Sequence, residues 1–289
     1  MASSENRPTK ATAPGAAGPG GHNGSISSQE LEHIEERSSP RTPVIYEIVR
    51  KHGEEEMTRP VISLWWSGVA AGLSISFSLL AQALLQMHLP NETWRPLISC
   101  LGYSVGFLMV VLARQQLFTE NTITVVLPLM AQPTRKNFFC VGRMWSIVLL
   151  ANMVGAVFAA VFCTYTPVIG PEVRDAMLAI SRKMMDHTLL EMFFRGISAG
   201  FLIAAMVWLI PSANGAQFQV IVLMTYLIAL GDFTHIVAGS MEAFLLVANG
   251  DQSLWSTVTG FTVPVLLGNI VGGTVLFALI SYAQIMKEL

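Results

Sequence analysis

The sequence predicts an all-α membrane protein of six transmembrane helices arranged as a 3+3 inverted repeat, with the second and fifth helices broken. Three observations predict it. The chain is 52% hydrophobic and 12% charged, with a mean hydropathy of +0.53, whereas soluble domains carry about 25% charged residues. Its apolar residues gather into six segments, 61–87, 97–130, 142–166, 188–211, 216–248 and 253–285, each continuous one meeting the roughly 20-residue length that spans a bilayer. Polar residues interrupt the second and fifth of these and leave the others continuous.

Residues 1–42 are rich in Gly, Pro, Ser, Ala and charge, so they are expected to form a disordered tail with too little apolar surface to order itself. Residues 1–40 contain no apolar stretch of the signal-peptide kind. In 43–60, Val44, Ile45, Ile48 and Val49 recur at helical spacing, consistent with an amphipathic helix on the membrane surface. A charged linker is the alternative. Residues 61–286 then make up the six-helix transmembrane domain. The net charge of −2 gives no reason to expect a nucleic-acid partner. Cys100, Cys140 and Cys163 lack C-x-x-C spacing, so neither a metal site nor a disulfide framework is expected, and no cofactor is implied.

The two interruptions are the informative part. The second segment breaks over Arg114-Gln115-Gln116-Leu117-Phe118-Thr119-Glu120-Asn121. The fifth is interrupted by Gly231, Asp232, Thr234, His235, Gly239 and Ser240. Backbone left unpaired in lipid costs several kcal/mol, so a broken helix survives where it faces protein or lines a cavity. Leu117-Phe118-Thr119-Glu120 in one break echoes Asp232-Phe233-Thr234-His235 in the other. Asn152-Met153-Val154-Gly155 in the third segment echoes Asn269-Ile270-Val271-Gly272 in the sixth. The matching order indicates a duplication, and three spans per copy require the second copy to be inverted. Such repeats place a transport site near the midplane, at the repeat interface.

Charge adds orientation and candidate partners. Arg50, Lys51 and Arg59 precede the first span, Arg135, Lys136 and Arg143 follow the second, and Lys287 closes the chain. With six spans these fall on one side, so both termini are expected in the cytoplasm. Arg114 and Arg195 are expected to be buried charges needing partners. Glu120, Asp232, Glu191 and Glu242 are the candidate carboxylates. Such an arginine either holds broken helices together in an ion pair or attracts an anion.

These motifs together resemble the formate–nitrite transporter family. The resemblance rests on Leu117-Phe118-Thr119, the Trp145…Asn152…Gly155 pattern, Val207-Trp208, Phe233-Thr234-His235 and the Gly268–Gly273 run GNIVGG, in the family's order over roughly 60–285. It implies an aquaporin-like bundle, one pore per protomer, a homo-pentamer in the lipid bilayer of a bacterial inner membrane, and a small monovalent anion as substrate. It implies a central histidine at His235 facing Thr119, with Leu117 and Phe118 in the adjoining loop and Phe233 and Thr234 in the other. The apolar constrictions fall on Tyr103, Phe107, Ile203 and Ile228, residues that equally serve as ordinary bundle packing. The chain departs from the family pattern at Gln116, Thr234, Met184, Gly239 and Gly200, where the family carries polar or charged side chains. These departures bear on the choice of substrate more than on the architecture.

Three other functions remain open on sequence: a channel for ammonium or another small or neutral solute, a transport-dead assembly protein, and a membrane enzyme. The aquaporin Asn-Pro-Ala pair is absent. So is any HExxH or paired nucleophile and base, which argues against catalysis.

Overall fold

In the computed structural model, residues 40–288 are described, and they form helices with no strand among them. The tail expected over 1–42 lies outside the described residues except at 40–42. Helix α1 (Thr42–Thr58) precedes the first span, α2 (Val61–Ile75) and α3 (Phe77–His88), which bends at Ser76. There the Ser76 hydroxyl donates to the Gly72 carbonyl at 2.8 Å, a back-bond that bends helices. The second segment comprises α4 (Arg95–Ser99), a short 3-10 turn and α5 (Ser104–Leu112), then a break, then α6 (Phe118–Thr124) and α7 (Val126–Ala131). The long α8 (Arg135–Tyr165) closes the first half.

The second half opens with α9 (Pro171–Met185), followed by α10 (Leu189–Leu209). The fifth segment is split into α11 (Gln217–Leu230) and α12 (Ile236–Asn249). The sixth runs from Leu254 to Ile285 through α13 (Leu254–Thr257), α14 (Val263–Ile270) and α15 (Leu279–Ile285), joined by π-helical turns. Among the described residues five helices are long and apolar enough to cross a membrane, and α11 and α12 are shorter apolar helices. The breaks are shorter than the sequence indicated. They cover 113–117 and 231–235, and Gly239 and Ser240 are already helical.

Helix α9 was not foreseen. The stretch 167–187 reads as a loop because its residues are polar, yet Met177, Leu178, Ser181 and Met184 fall on one buried face. Glu172 in its first turn and Arg182 and Lys183 in its last suit the helix dipole. Arg182 also pairs with Asp251 at 2.6 Å and holds that carboxyl below its usual range.

Helix α1 is no free surface helix. It docks through Tyr46, Val49, Gly53 and Glu56, whereas Val44 and Ile48 stay exposed. Gly53 is needed because a Cβ there would lie 1.8 Å from the Thr124 carbonyl oxygen.

Glycines also let the halves pack. A Cβ on Gly72 would meet the Asn152 carbonyl oxygen at 2.2 Å, and one on Gly200 would meet that of Asn269 at 2.3 Å. Thus α2 lies tightly against α8, and α10 against α14, by small residues of the kind that bring membrane helices close. The outer surface is apolar, with Ile62, Trp66, Phe158, Phe194 and Trp255 exposed, as a lipid-facing or subunit-facing surface requires.

Candidate functional site

Two buried asparagines define the site. Asn152 Oδ1 accepts the Phe118 N–H at 2.9 Å, while its Nδ2 donates to the carbonyls of Gly68 (2.8 Å) and Gln116 (2.9 Å). Asn269 Oδ1 accepts the Ile236 N–H at 2.9 Å, while its Nδ2 donates to the carbonyls of Gly196 (2.9 Å) and Thr234 (3.0 Å). Each asparagine thus supplies the partners that a broken helix has lost. The backbones agree as well. Arg114 and Asp232 take positive φ (52° and 56°), and Leu117 and His235 have φ/ψ of −106°/127° and −107°/127°.

This pattern corrects the register read from sequence. The counterpart of Leu117 is His235, not Asp232, and the shift is three residues. The short Phe-Thr echo is not the structural equivalence, because the asparagine bonds tie Phe118 to Ile236.

At the meeting of the breaks, His235 Nε2 lies 2.8 Å from Thr119 Oγ1. Its Nδ1 accepts the Ala238 N–H at 3.2 Å, so the side chain caps α12. A neutral ring with Nδ1 accepting carries its hydrogen on Nε2 and donates it to Thr119. His235 is 1% exposed and Thr119 is fully buried. Phe107 meets the imidazole edge-on, with centroids 5.0 Å apart, and Tyr103 packs on Phe107 at 5.2 Å. Tyr103, Phe107, Ile203 and Ile228 are all buried in one apolar cluster with Leu117 and Phe118.

Two cavities approach this cluster. One of about 360 Å³ is lined by Tyr103, Ile228, Phe233, Thr234, His235 and Glu242 among others. The other, of about 950 Å³, is lined by Arg114, Gln116, Glu120 and Thr124, together with one face of α1.

The expected set of buried charges is corrected. Arg114 is exposed at the wall of the larger cavity and makes no ion pair among the described residues. Arg195 and Asp232 do pair, at 3.4 Å, but their side chains are 30% and 34% exposed. Arg195 also donates to the Asp232 carbonyl at 2.8 Å, and His187 Nε2 lies 3.0 Å from the Asp232 carboxylate. Lys183 stands 3.8 Å from the same carboxylate. Asp232 is therefore the hub of a half-exposed cluster at the cavity mouth. Glu120 is half-buried, and its Oε1 has no partner. Thr234 donates to the Met192 carbonyl at 2.8 Å, and the Phe233 ring packs beneath Gly231.

One buried carboxylate at the site escaped sequence reasoning. Glu56 is buried and accepts from Thr124 Oγ1 (2.7 Å), Gln116 Nε2 (2.9 Å) and Asn121 Nδ2 (3.4 Å). Its only signal was a carboxylate on the helix face that also carries Val49 and Gly53. Glu242, a candidate partner for a buried arginine on sequence, is buried and pairs with neither Arg114 nor Arg195 among the described residues.

Half-helices pinned by asparagines around a buried Thr–His pair, between two cavities, define a polytopic membrane protein of the broken-helix channel class. Comparison with known proteins gives the particular family. The formate/nitrite transporter family model matches residues 43–283, and the chain belongs to that family. It is 46% identical to the inner membrane protein YfdC of Escherichia coli over 261 residues, covering 90% of this chain and 84% of that one. It is 26% identical to the formate channel FocA of Haemophilus influenzae, covering 75% and 84%. Among solved structures, a pentameric formate channel with formate bound superposes with a TM-score of 0.66 at 20% identity, covering 78% of this chain and 98% of that one. A channel described as an FNT family ion channel gives 0.70 at 20% identity, covering 84% and 98%. At that identity the superpositions speak for the fold.

Proposed function

We propose that the protein is a channel for small monovalent weak-acid anions of the formate and nitrite type, set in a bacterial inner membrane with both termini in the cytoplasm. The observation that carries this reading is the buried 2.8 Å pair of Thr119 and His235 at the meeting of two half-helices, between two cavities. Tyr103, Phe107, Ile203 and Ile228 supply apolar constrictions around it. A charge crosses such a stretch at far greater cost than a neutral molecule. The histidine is the group that can exchange a proton with a weak acid there.

The relatives named as formate channels support the substrate class, and the inner membrane relative supports the location. Assembly as a homo-pentamer is supported by the likeness to a pentameric channel and by the apolar outer surface. The role is transport, not catalysis. Uptake by proteoliposomes of formate, nitrite, acetate, hydrosulfide and ammonium tests it. Uptake of one or more of the weak-acid anions above that of empty vesicles is expected. Ammonium uptake without any of them would reverse the reading.

A further inference from the structure

Glu242 is 8% exposed, lines the smaller cavity and makes no hydrogen bond among the described residues. The cations near the cavity mouth do not pair with it, since Lys183, His187 and Arg195 gather on Asp232. A buried carboxyl without a partner stabilises nothing, and an apolar side chain would pack there more cheaply. Its neighbours Met241, Leu245 and Leu246 on α12 are apolar and buried, so this helix can hold apolar residues at that depth.

Its placement gives the carboxyl a use. His235, Gly239 and Glu242 fall at i, i+4 and i+7 and all line the cavity, so Glu242 precedes the histidine by a helical rise of about 10 Å. Gly239 keeps the wall between them bare. A Cβ there would strike the Phe261 ring at 2.6 Å.

The charged and titratable groups facing the cavity are few. Tyr103 and Cys100 come from the second segment, Lys183 from α9, Glu92 and Arg95 from the rim, and Asp232 and His235 from the break. Helix α3 brings only the neutral Gln82 and Gln86, and α8, although packed on α12, brings none. Among the residues lining the cavity Arg95 and Lys183 match Glu92 and Asp232 in number, Arg195 adds a third cation that is bound to Asp232, and Glu242 forms an ion pair with none of them among the described residues.

We propose that Glu242 is a specificity-determining residue of this cavity: ionised, it turns back bare anions, so that the species reaching His235 from this side is the undissociated weak acid. The inference rests on the channel reading above. The ionised carboxylate repels an arriving anion across a poorly screened cavity, whereas its neutral form accepts or donates a hydrogen bond to a weak acid.

The test is uptake of formate and of nitrate, the anion of a strong acid, by proteoliposomes of wild type, Glu242→Gln and Glu242→Asp between about pH 5 and 8. Detergent elution volume checks assembly of each. Glu242→Gln should raise the ratio of formate uptake at pH 8 to that at pH 5 by about tenfold, the scale of one nearby charge, and should begin to pass nitrate. Glu242→Asp keeps the charge and should keep the wild-type profile, which separates charge from packing. A wild-type profile in Glu242→Gln, with formate still transported, would overturn this inference and leave the channel reading standing. Methylammonium uptake by wild type that is lost in Glu242→Gln would overturn it too, by showing that the carboxylate serves a cation. Wild-type vesicles closed to every weak acid would overturn the channel reading itself.

Discussion

Asn152 and Asn269 hold two helix breaks with the same three hydrogen bonds, one accepted from the helix that restarts and two donated to carbonyls. Both side chains are fully buried, so no water stands ready to replace them. Replacing Asn269 by leucine leaves the Ile236 N–H and the Thr234 carbonyl unpaired and takes the second hydrogen bond from the Gly196 carbonyl, which keeps its bond within the helix. At about 1–3 kcal/mol per buried orphan, the loss should reach several kcal/mol. A thermal scan in detergent should show a large drop in the unfolding midpoint for Asn269→Leu, and a comparable one for Asn152→Leu. An unchanged midpoint in either would mean that the breaks hold without their asparagines.

The contact between α10 and α14 is as unforgiving. A Cβ on Gly200 meets a backbone oxygen, which cannot swing aside as a side chain can. Gly200→Ala should therefore misassemble or lower stability by about 1–3 kcal/mol, the usual cost of overpacking. The same contact bears on a departure noted in the sequence, since a polar side chain has no room where Gly200 meets Asn269. Gly142, with nothing within 4 Å of a Cβ, is the control, and Gly142→Ala should be tolerated. Yield and elution profile of the two variants check this.

How much of this was legible depended on the kind of signal. Apolar length is dictated by the bilayer, so the six segments and the two broken ones stood out, as did the Asn-x-x-Gly pair. The register of the duplication did not. Phe-Thr occurs in both breaks by coincidence of letters, and only the hydrogen bonds to Phe118 and Ile236 show which residues correspond. Helix α9 was hidden because its buried face is only four residues of a polar stretch. Arg114 was misread because a charge between apolar runs looks buried, and nothing in its neighbours announces a left-handed turn. Glu56 was invisible for the opposite reason, since burial of one carboxylate comes from tertiary packing alone, and Glu242 was named only as a partner for an arginine it does not meet among the described residues.

Glu56 anchors α1 to the broken second segment through Gln116, Asn121 and Thr124. Glu56→Ala takes the acceptor from Gln116 Nε2 and Thr124 Oγ1, while Asn121 keeps Gln116 Oε1, and it should loosen α1. Limited proteolysis should then cut within 42–58 while leaving the six-helix body intact. Glu56→Gln keeps the shape but brings its own N–H group against donors, so it should fall between alanine and wild type. Equal cleavage rates in all three would show that Gly53 and its neighbours hold the helix unaided.

Arg195 and Arg114 should behave differently, because only the first has a partner among the described residues. Arg195→Met removes the 2.8 Å bond to the Asp232 carbonyl and the pair with its carboxylate. Asp232 keeps His187 and Lys183, and all these side chains are partly exposed, so the loss should be about 1 kcal/mol. Arg114→Met, at an exposed position, should cost less. A double-mutant cycle of Arg195→Met with Asp232→Asn measures the coupling. A greater loss in Arg114→Met than in Arg195→Met would mean that Arg114 has a partner in the assembled protein.

The last prediction concerns the pair at the centre. His235 Nδ1 accepts the Ala238 N–H, so the neutral ring points its Nε2–H at Thr119. That leaves the threonine hydroxyl hydrogen free to donate to an arriving anion. A ring that takes a second proton takes it on Nδ1 and must release Ala238. When the imidazolium then gives a proton to a carboxylate, an N–H bond breaks and an O–H bond forms. The products are a neutral acid able to pass Phe107 and a neutral ring, which recaps α12 once its remaining proton is on Nε2 and Nδ1 is again free to accept from Ala238. His235→Asn keeps a side chain that can cap the helix and hydrogen-bond, but it cannot titrate. It should fold and assemble, yet flatten the dependence of anion uptake on pH between about pH 5 and 8, where a histidine titrates. Thr119→Val removes the hydroxyl at nearly constant volume and should lower uptake at every pH while shifting the profile less. The measurement is uptake into liposomes with the internal pH clamped. Wild-type magnitude and profile in His235→Asn would take the histidine out of the mechanism and leave a pore that selects by size.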